Sequence, residues 1–424
     1  MDTIFALSSG APPAGIAVVR ISGPSAGMAL ELLAGRRPPQ RRARMAGLRD
    51  GEGVLLDQGL VLWFPGPNTA TGEDLAELHL HGGRAVVAAV EAELGRMDGL
   101  RRAMPGEFTR RAFANGRIDL AEAEGLGDLL AAETELQRRA AIGLAGGMLS
   151  RKVEGWRERL LALSAQLEAA LDFEDEDDVG GLPPSFSDEI AALGRDVAEA
   201  LAAPAAELLR EGFRVALAGP PNAGKSTLFN ALVESEAAIT APLAGTTRDV
   251  LTRPVALAGI PFTFVDMAGL RSDSSDAVEA IGIERAEAEI ARADIVLWLG
   301  PEGEGPANVW EIEAQCDRAD HAAKLAALFR VSAVTGEGLS DLKQALIDEA
   351  GRAMPKPGET ALNRRQRDLL GEAYDALAGI EGQVDPLILA EHLRQARLAF
   401  DRLVGRSSTE DVLDTLFGRF CIGK

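Results

Sequence analysis

The stretch Gly219-Pro220-Pro221-Asn222-Ala223-Gly224-Lys225-Ser226 decides the reading of this chain. It fits G-x-x-x-x-G-K-[ST], in which glycines let backbone N–H groups turn inward around phosphates. Lys225 stands where a lysine reaches the β- and γ-phosphates of a nucleoside triphosphate, and Ser226 offers a hydroxyl to Mg²⁺. The flanks agree. Residues 214–218 form a short apolar run suited to a strand, and residues 227–232 open a helix. Asn222, Ala223, Gly224, Lys225, Ser226 and Thr227 are therefore expected to wrap a triphosphate at a helix N-terminus.

Working outward from this loop, Ala244-Gly245-Thr246-Thr247-Arg248-Asp249 is a polar, turn-rich segment before a strand. Thr247 there can give its hydroxyl to Mg²⁺ and its N–H to the γ-phosphate, so the segment orders around a triphosphate. The apolar run 260–265 ends in Asp266-Met267-Ala268-Gly269. In this D-x-x-G pattern the aspartate holds a Mg²⁺-bound water and the glycine N–H meets the γ-phosphate. Leu270 follows, where small GTPases of the Ras type place a glutamine that orients water. An apolar side chain cannot do that, so another polar group must act or hydrolysis is slow.

Reading a guanine takes a carboxylate, normally that of N-K-x-D after a strand. The strand expected at 294–299 is not followed by that motif. Asp317-Arg318-Ala319-Asp320 keeps its last aspartate, so Asp320 is the candidate, with a solvated helix end as the alternative for Asp317. Ser332, Ala333 and Val334 match a loop whose backbone faces guanine.

At 424 residues the chain has room for several domains. No apolar run reaches membrane-spanning length, and Asp2 begins no basic-then-apolar leader. Cys316 and Cys421 are too far apart in sequence to suggest a disulfide framework or a zinc site. These features predict a soluble, cytoplasmic protein. A net charge of −21 excludes binding RNA through bulk charge. Local basic clusters remain: Arg36-Arg37 with Arg41-Arg42-Arg44, then Arg101-Arg102, then Arg364-Arg365-Gln366-Arg367. Each taken alone reads as a solvated face.

Residues 1–118 mix strands, at 15–21, 59–64 and 75–80, with a helix at 85–94. Long helices rich in Ala, Leu, Glu and Arg fill 119–211, one of them spanning 187–210. The acidic run 172–178 suits a solvated loop better than a Mg²⁺ site. Residues 212–352 alternate strands and helices, the pattern of a mostly parallel sheet covered on both faces. Helical periodicity returns over 353–424, chiefly 364–417. The predicted architecture is multidomain: an α+β N-terminal domain, a discontinuous all-α helical domain, and a Ras-like P-loop α/β domain inserted into it.

The chain resembles a family in every one of these regions: the tRNA modification GTPases that act with a flavin-dependent partner on the wobble uridine. The resemblance rests on Val19-Arg20-Ile21-Ser22-Gly23, residues 63–68, Thr71-Gly72-Glu73-Asp74, His81-Gly82-Gly83 and Pro105-Gly106-Glu107-Phe108. It continues through the phosphate loop and 244–249 to Cys421-Ile422-Gly423-Lys424. It implies a GTPase stimulated by K⁺, the ion standing in for an arginine finger. Asn222 would ligate that K⁺ together with Ala241, Leu243 and Thr246, and Ala241, Pro242, Leu243, Ala244, Gly245 and Thr246 would line the nucleotide. The family's activating carboxylate falls at Glu279, which answers the problem set by Leu270. The resemblance further implies an N-terminal domain that dimerises and binds 5-formyltetrahydrofolate or a related tetrahydrofolate. Arg20, Glu77 and Arg117 match its folate positions, with Lys424 and a catalytic Cys421 from the C-terminus. Arg117 stands where many members carry lysine, which keeps charge but changes hydrogen-bond geometry. By residue type alone, Cys421 is equally a small residue at a helix end. The implied partners are a second copy, tRNA, and a flavoprotein carrying FAD and using NADH, together a heterotetramer. The implied reaction adds an aminomethyl-type group to C5 of the wobble uridine. The competing class is an RNA-binding or ribosome-assembly GTPase switch, which would need a basic RNA-binding module beside the nucleotide domain. Two lesser signals are weighed as structural: His79 with His81, which share a strand face but have no third metal ligand, and the four tryptophans.

Overall fold

The computed structural model describes residues 2–172, 182–183, 185–234, 251–267, 287–307, 309–319, 321, 323–356, 359–407 and 409–424. The chain divides into two compact units. One comprises Met1–Gly127, Leu149–Arg157 and Arg397–Lys424; the other comprises Asp128–Met148 and Glu158–Ala396.

The first unit is built on a six-stranded sheet. Its strands are β1 (Thr3–Leu7), β2 (Ala14–Ser22), β3 (Arg44–Arg49), β4 (Leu55–Phe64), β5 (Leu75–Gly82) and β6 (Leu100–Arg102), in the order β3-β4-β5-β2-β1-β6. All neighbours are antiparallel except β1 and β6. The period-2 alternation of β2 sets the two faces: Ala17, Val19 and Ile21 are fully buried, while Val18 and Arg20 lie between them on the other face. The buried face carries α1 (Ala26–Ala34) and α2 (Arg84–Leu94), whose Leu30, Leu33, Val90 and Leu94 join the strand residues in one core. Each such side chain contributes about 1.5–3 kcal/mol by leaving water. α3 (Glu107–Ala114) packs against a C-terminal helix, Glu410–Phe417, through Phe113 and Phe417, with ring centroids 6.0 Å apart.

The second unit holds β7 (Phe213–Ala218), β8 (Leu251–Leu257), β9 (Ile260–Asp266), β10 (Ile295–Trp298), β11 (Trp310–Glu313) and β12 (Phe329–Arg330). Their order is β12-β11-β10-β7-β9-β8, parallel throughout except for β8. β7 lies between β10 and β9, where the strand order reverses, and ligands bind at the carboxyl ends of strands at such a point. The buried run Val215-Ala216-Leu217, with Phe262, Phe264 and Val265 on the neighbouring strand, accounts for the apolar character of these central strands.

The helical expectations hold in type but not in length. Residues 120–172 form α4 (Leu120–Ala131), α5 (Glu135–Ala145) and α6 (Met148–Asp172). Thr134 and Gln137 make a full capping box that starts α5. The single helix expected over 187–210 is two, α7 (Ser185–Leu201) and α8 (Ala206–Glu211). Pro204 lies in the break, because it has no N–H to donate and biases Ala203 away from helix. After α9 (Lys225–Glu234) and α10 (Leu339–Ala353), the stretch 364–417 forms α11 (Arg364–Ala378), α12 (Pro386–Leu403) and α13 (Glu410–Phe417). No described helix is long and apolar enough to cross a membrane.

Candidate functional site

The phosphate loop links β7 to α9. Three of its residues take left-handed backbone: Gly219 at φ +146°, Asn222 at +65° and Gly224 at +90°. A side chain at Gly219 would meet Gly300 N at 2.9 Å, and one at Gly224 would meet the Gln315 amide at 2.9 Å. Both glycines are therefore set by sterics as well as by torsion. Lys225 is buried, and its Nζ donates to Gly219 O at 2.9 Å and Pro220 O at 2.8 Å. That fixes a positive charge at the mouth of the loop, against the first turn of α9. Ser226 Oγ donates to Asp266 Oδ2 at 2.6 Å. A hydroxyl and a carboxylate from separate elements thus converge, a pair of hard oxygen donors suited to Mg²⁺. Met267 is buried beside Asp266. Ala223 and Thr227 lie within the loop and the first turn of α9.

Residues Ala241, Pro242, Leu243, Ala244, Gly245, Thr246 and Thr247, together with Ala268, Gly269, Glu279 and Asp320, lie outside the described residues.

On the expected base side of the cleft, Asp317 and the 332–334 loop are described while Asp320 is not. The strand at 294–299 is β10, and the loop that approaches the phosphate loop follows β11 instead. It runs Ala314-Gln315-Cys316-Asp317 and meets the loop that carries Ser332. Asp317 Oδ1 accepts from Ser332 Oγ at 2.6 Å. The same Oγ accepts from Val334 N and Thr335 N, and Cys316 N donates to Val331 O. Asp317, Ser332, Ala333 and Val334 therefore belong to one hydrogen-bonded loop pair. Gln315, at φ +57°, donates Nε2 to Asn222 O at 3.2 Å, joining the base loop to the phosphate loop. Sequence reading did not mark β11 as a strand, because it carries Glu311 and Glu313 among its four residues and so lacks an apolar strand's signature. Burial pushes the Cys316 thiol above its ordinary pKa, which keeps it un-ionised.

A second cluster occupies the sheet of the first unit. Arg20 on β2 and Glu77 on β5 are register partners. Arg20 Nη2 and Nε donate to Glu77 Oε1 at 3.0 and 3.2 Å, and His79 Nε2 meets Glu77 Oε2 at 3.2 Å. The Arg20 guanidinium lies 5.9 Å from the centre of the Phe108 ring. Phe108 N in turn donates to Lys424 O, and Gly106 N to Cys421 O. Ile422 bridges Pro105, and Gly423 at φ +94° packs so closely that a Cβ would lie 2.0 Å from Leu7 O. The last four residues are thus held between the end of β1 and the start of α3, with Cys421 exposed. Phe108 thus links the Arg20–Glu77 pair to Lys424, while Cys421 is held by Gly106 at the same end of α3. Arg117 sits beyond α3, its side chain against the turn at Gly72.

α3 is fixed by an ionic network. Arg111 pairs with Asp2, Glu73 and Glu107, while Arg101 pairs with Asp2 and Glu107. Burial pushes the Glu107 carboxyl up, but hydrogen bonds from Arg101, Met104 N and Arg111 outweigh it and hold its pKa below the ordinary value. The two strand histidines are each paired with a carboxylate: His79 with Glu77, and His81 Nδ1 with Asp57 at 2.7 Å. No cluster of three or more His, Cys, Asp or Glu side chains that could hold a metal ion occurs among the described residues.

Two family models match the chain. The helical domain of the MnmE family matches residues 120–421, and the N-terminus of the GTP-binding protein TrmE matches residues 3–117. The chain is 63% identical over 424 residues to the tRNA modification GTPase MnmE of Erythrobacter litoralis, with all of both chains covered. It is 62% identical over 435 residues to that of Novosphingobium aromaticivorans, again with full coverage of both. With the protein of the same name from Zymomonas mobilis it shares 52% over 435 residues.

Proposed function

The chain belongs to the tRNA modification GTPases, enzymes that hydrolyse GTP, and from that membership we propose a K⁺-stimulated, folate-dependent mode of action with a flavoprotein partner. In this reading the phosphate loop holds GTP, with Lys225 countering charge on the β- and γ-phosphates. Ser226, with Thr247, holds Mg²⁺, and Asp266 steadies its water shell. Asn222, Ala241, Leu243 and Thr246 seat K⁺, whose charge offsets that developing between the phosphates. Glu279 orients the attacking water, a task Leu270 cannot perform. Asp317, already hydrogen-bonded to Ser332, is the carboxylate that accepts from guanine N1 and N2.

The one-carbon unit enters at the first unit. The observation that carries this is the docking of 421–424 beside the Arg20–Glu77 pair. Arg20 offers a forked donor to the glutamate tail of 5-formyltetrahydrofolate, Glu77 an acceptor to its pterin edge, and Arg117 and Lys424 further positive charge. Cys421 is exposed beside them as the candidate nucleophile. The outer face of the same sheet also exposes Ile16 at 64%, Met45 at 65% and Leu60 at 39%. Such a face suits burial against a second copy, a homodimer joined by the FAD- and NADH-using partner as a heterotetramer in the cytoplasm. The four-segment division at 118, 211 and 352 is retained as part of this proposal.

The ribosome-assembly switch gains nothing, since Arg20, Glu77 and the docked C-terminus would have no task in it. The test is equilibrium binding of 5-formyltetrahydrofolate to the isolated protein, with GTP hydrolysis measured in KCl and in NaCl. Folate binding that disappears in Arg20→Ala, together with hydrolysis faster in K⁺, supports the reading. Equal rates in both salts remove the K⁺ seat, and no folate binding removes the one-carbon role.

A further inference from the structure

We propose that the arginine-rich segment between α1 and β3 is the surface that grips the phosphodiester backbone of tRNA, an inference that rests on the tRNA-modifying role. From Arg36 to Arg49 the chain has six arginines and no carboxylate, in a protein of net charge −21. Such a protein repels RNA at long range, so capture requires a local field of opposite sign.

The segment is a fixed platform. Arg37 stacks 4.8 Å from the Trp63 ring, pairs with Glu31 at 3.1 Å, and fills the space over Gly27, where a Cβ would lie 2.6 Å from its guanidinium carbon. Arg41 lies 5.8 Å from the Phe64 ring and donates to Asn68 O. Its N–H donates to Trp63 O at 2.8 Å, and its backbone is held at φ +58°. Pro38 is buried and Pro39 stiffens the turn. Two arginines are thus used to anchor the loop on β4. The side chains of Arg36 and Arg42 are left exposed, with neither a hydrogen bond nor an ion pair among the described residues. Next to them Arg44 keeps a buried Nη1 without a partner.

Guanidinium forks with unfilled donors on a rigid loop are matched to phosphate oxygens, and pre-ordering lowers the cost of binding. A membrane surface is disfavoured because residues 36–44 expose no large hydrophobic side chain. The phosphate class is favoured over an acidic protein because β3 and the loop add no apolar anchor beyond Met45.

The test uses the full chain and an unmodified tRNA transcript, with fluorescence anisotropy read over a series of KCl concentrations. The double variant Arg36→Ser, Arg42→Ser is expected to bind roughly 10-fold or more weakly near 0.1 M salt, and the slope of log K against log salt to shrink by roughly 1.5, as for two lost phosphate contacts. Arg42→Glu should weaken binding further. Thermal midpoint and GTP hydrolysis should stay at wild-type values, since neither side chain is paired. Unchanged affinity and slope in the double variant overturn the proposal. So does unchanged RNA binding with weakened capture of the flavoprotein partner, which would make the loop a protein-docking surface. If the wild type binds no tRNA even at low salt, the substrate role falls with it. That result is distinct from a variant matching a wild type that binds.

Discussion

The two ends of the nucleotide cleft are built on opposite principles. At the phosphate end, left-handed glycines, a buried lysine and a serine on Asp266 occupy the positions that the motif prescribes. At the proposed base end the usual asparagine and lysine are missing, yet Asp317 is bound by Ser332 at 2.6 Å. Phosphate recognition relies on backbone N–H groups and torsions that only glycine adopts cheaply, so it tolerates little substitution. Base recognition, as proposed above, relies on one carboxylate held by a neighbouring loop, so the residues around it can change while the loop still presents that carboxylate.

The largest expected effect tests the rigid end. Lys225→Ala should lower GTP turnover by about 10²- to 10³-fold, the range seen when one preorganised charge-stabilising donor is removed. Circular dichroism must show an unchanged fold. A variant with most of its activity would mean that K⁺, rather than the lysine, carries the phosphate charge.

The second effect tests the permissive end. Asp317→Asn keeps the shape of the side chain but turns an acceptor toward the guanine donors into a donor. Hydrogen bonds to a charged group contribute about 1.5–3 kcal/mol, so GTP affinity should fall roughly 10- to 100-fold. Affinity for xanthosine triphosphate, which carries an oxygen where guanine has its amino group, should rise. If Asp317→Asn binds GTP as well as the wild type, Asp320 regains the role and the contrast between the two ends disappears.

This contrast also explains what was legible in the sequence. The parallel sheet, the phosphate loop and Asp266 could be read because strand, glycine spacing and helix follow one another within a short local window. The α7–α8 break at Pro204 was legible in principle and was overridden by the surrounding alanine periodicity. β11 was not legible, because it is a short strand carrying two glutamates, held in place by its neighbours rather than by its own pattern. Likewise, nothing local announces that the last four residues dock on Gly106 and Phe108. That contact joins residues some 300 positions apart, and only the resemblance to a family pointed to it.

Ser332→Ala sharpens the account of the base end by a smaller step. It leaves the Asp317 side chain in place but without its short hydrogen bond, and removes the acceptor for Val334 N and Thr335 N. The loss of about 1 kcal/mol per net hydrogen bond predicts a roughly 5-fold rise in the KM for GTP with kcat little changed. A fall in kcat at constant KM would place Ser332 in the chemistry instead.

The smallest effect asks whether the two ends are independent at all. Gln315 belongs to the base loop but donates to Asn222 O and packs against Gly224, both in the phosphate loop. Its hydrogen bond is exposed and neutral, which limits it to about 0.5–1 kcal/mol, or a roughly 2- to 5-fold weakening of nucleotide binding in Gln315→Ala. Because the contact is made to the phosphate loop, GTP and GDP should weaken alike, and the preference for guanine over adenine should not move. That pattern differs from the one expected of Asp317, where the loss depends on the base. A double-mutant cycle between Gln315→Ala and Asp317→Asn, read by isothermal titration with GDP, measures the coupling directly. Additive losses would show that base and phosphates are read separately. A coupling energy above about 0.5 kcal/mol would show that Gln315 transmits the fit of the base to the loop holding the phosphates. In that case the permissive end is constrained after all, by a contact to the phosphate loop rather than by the carboxylate itself.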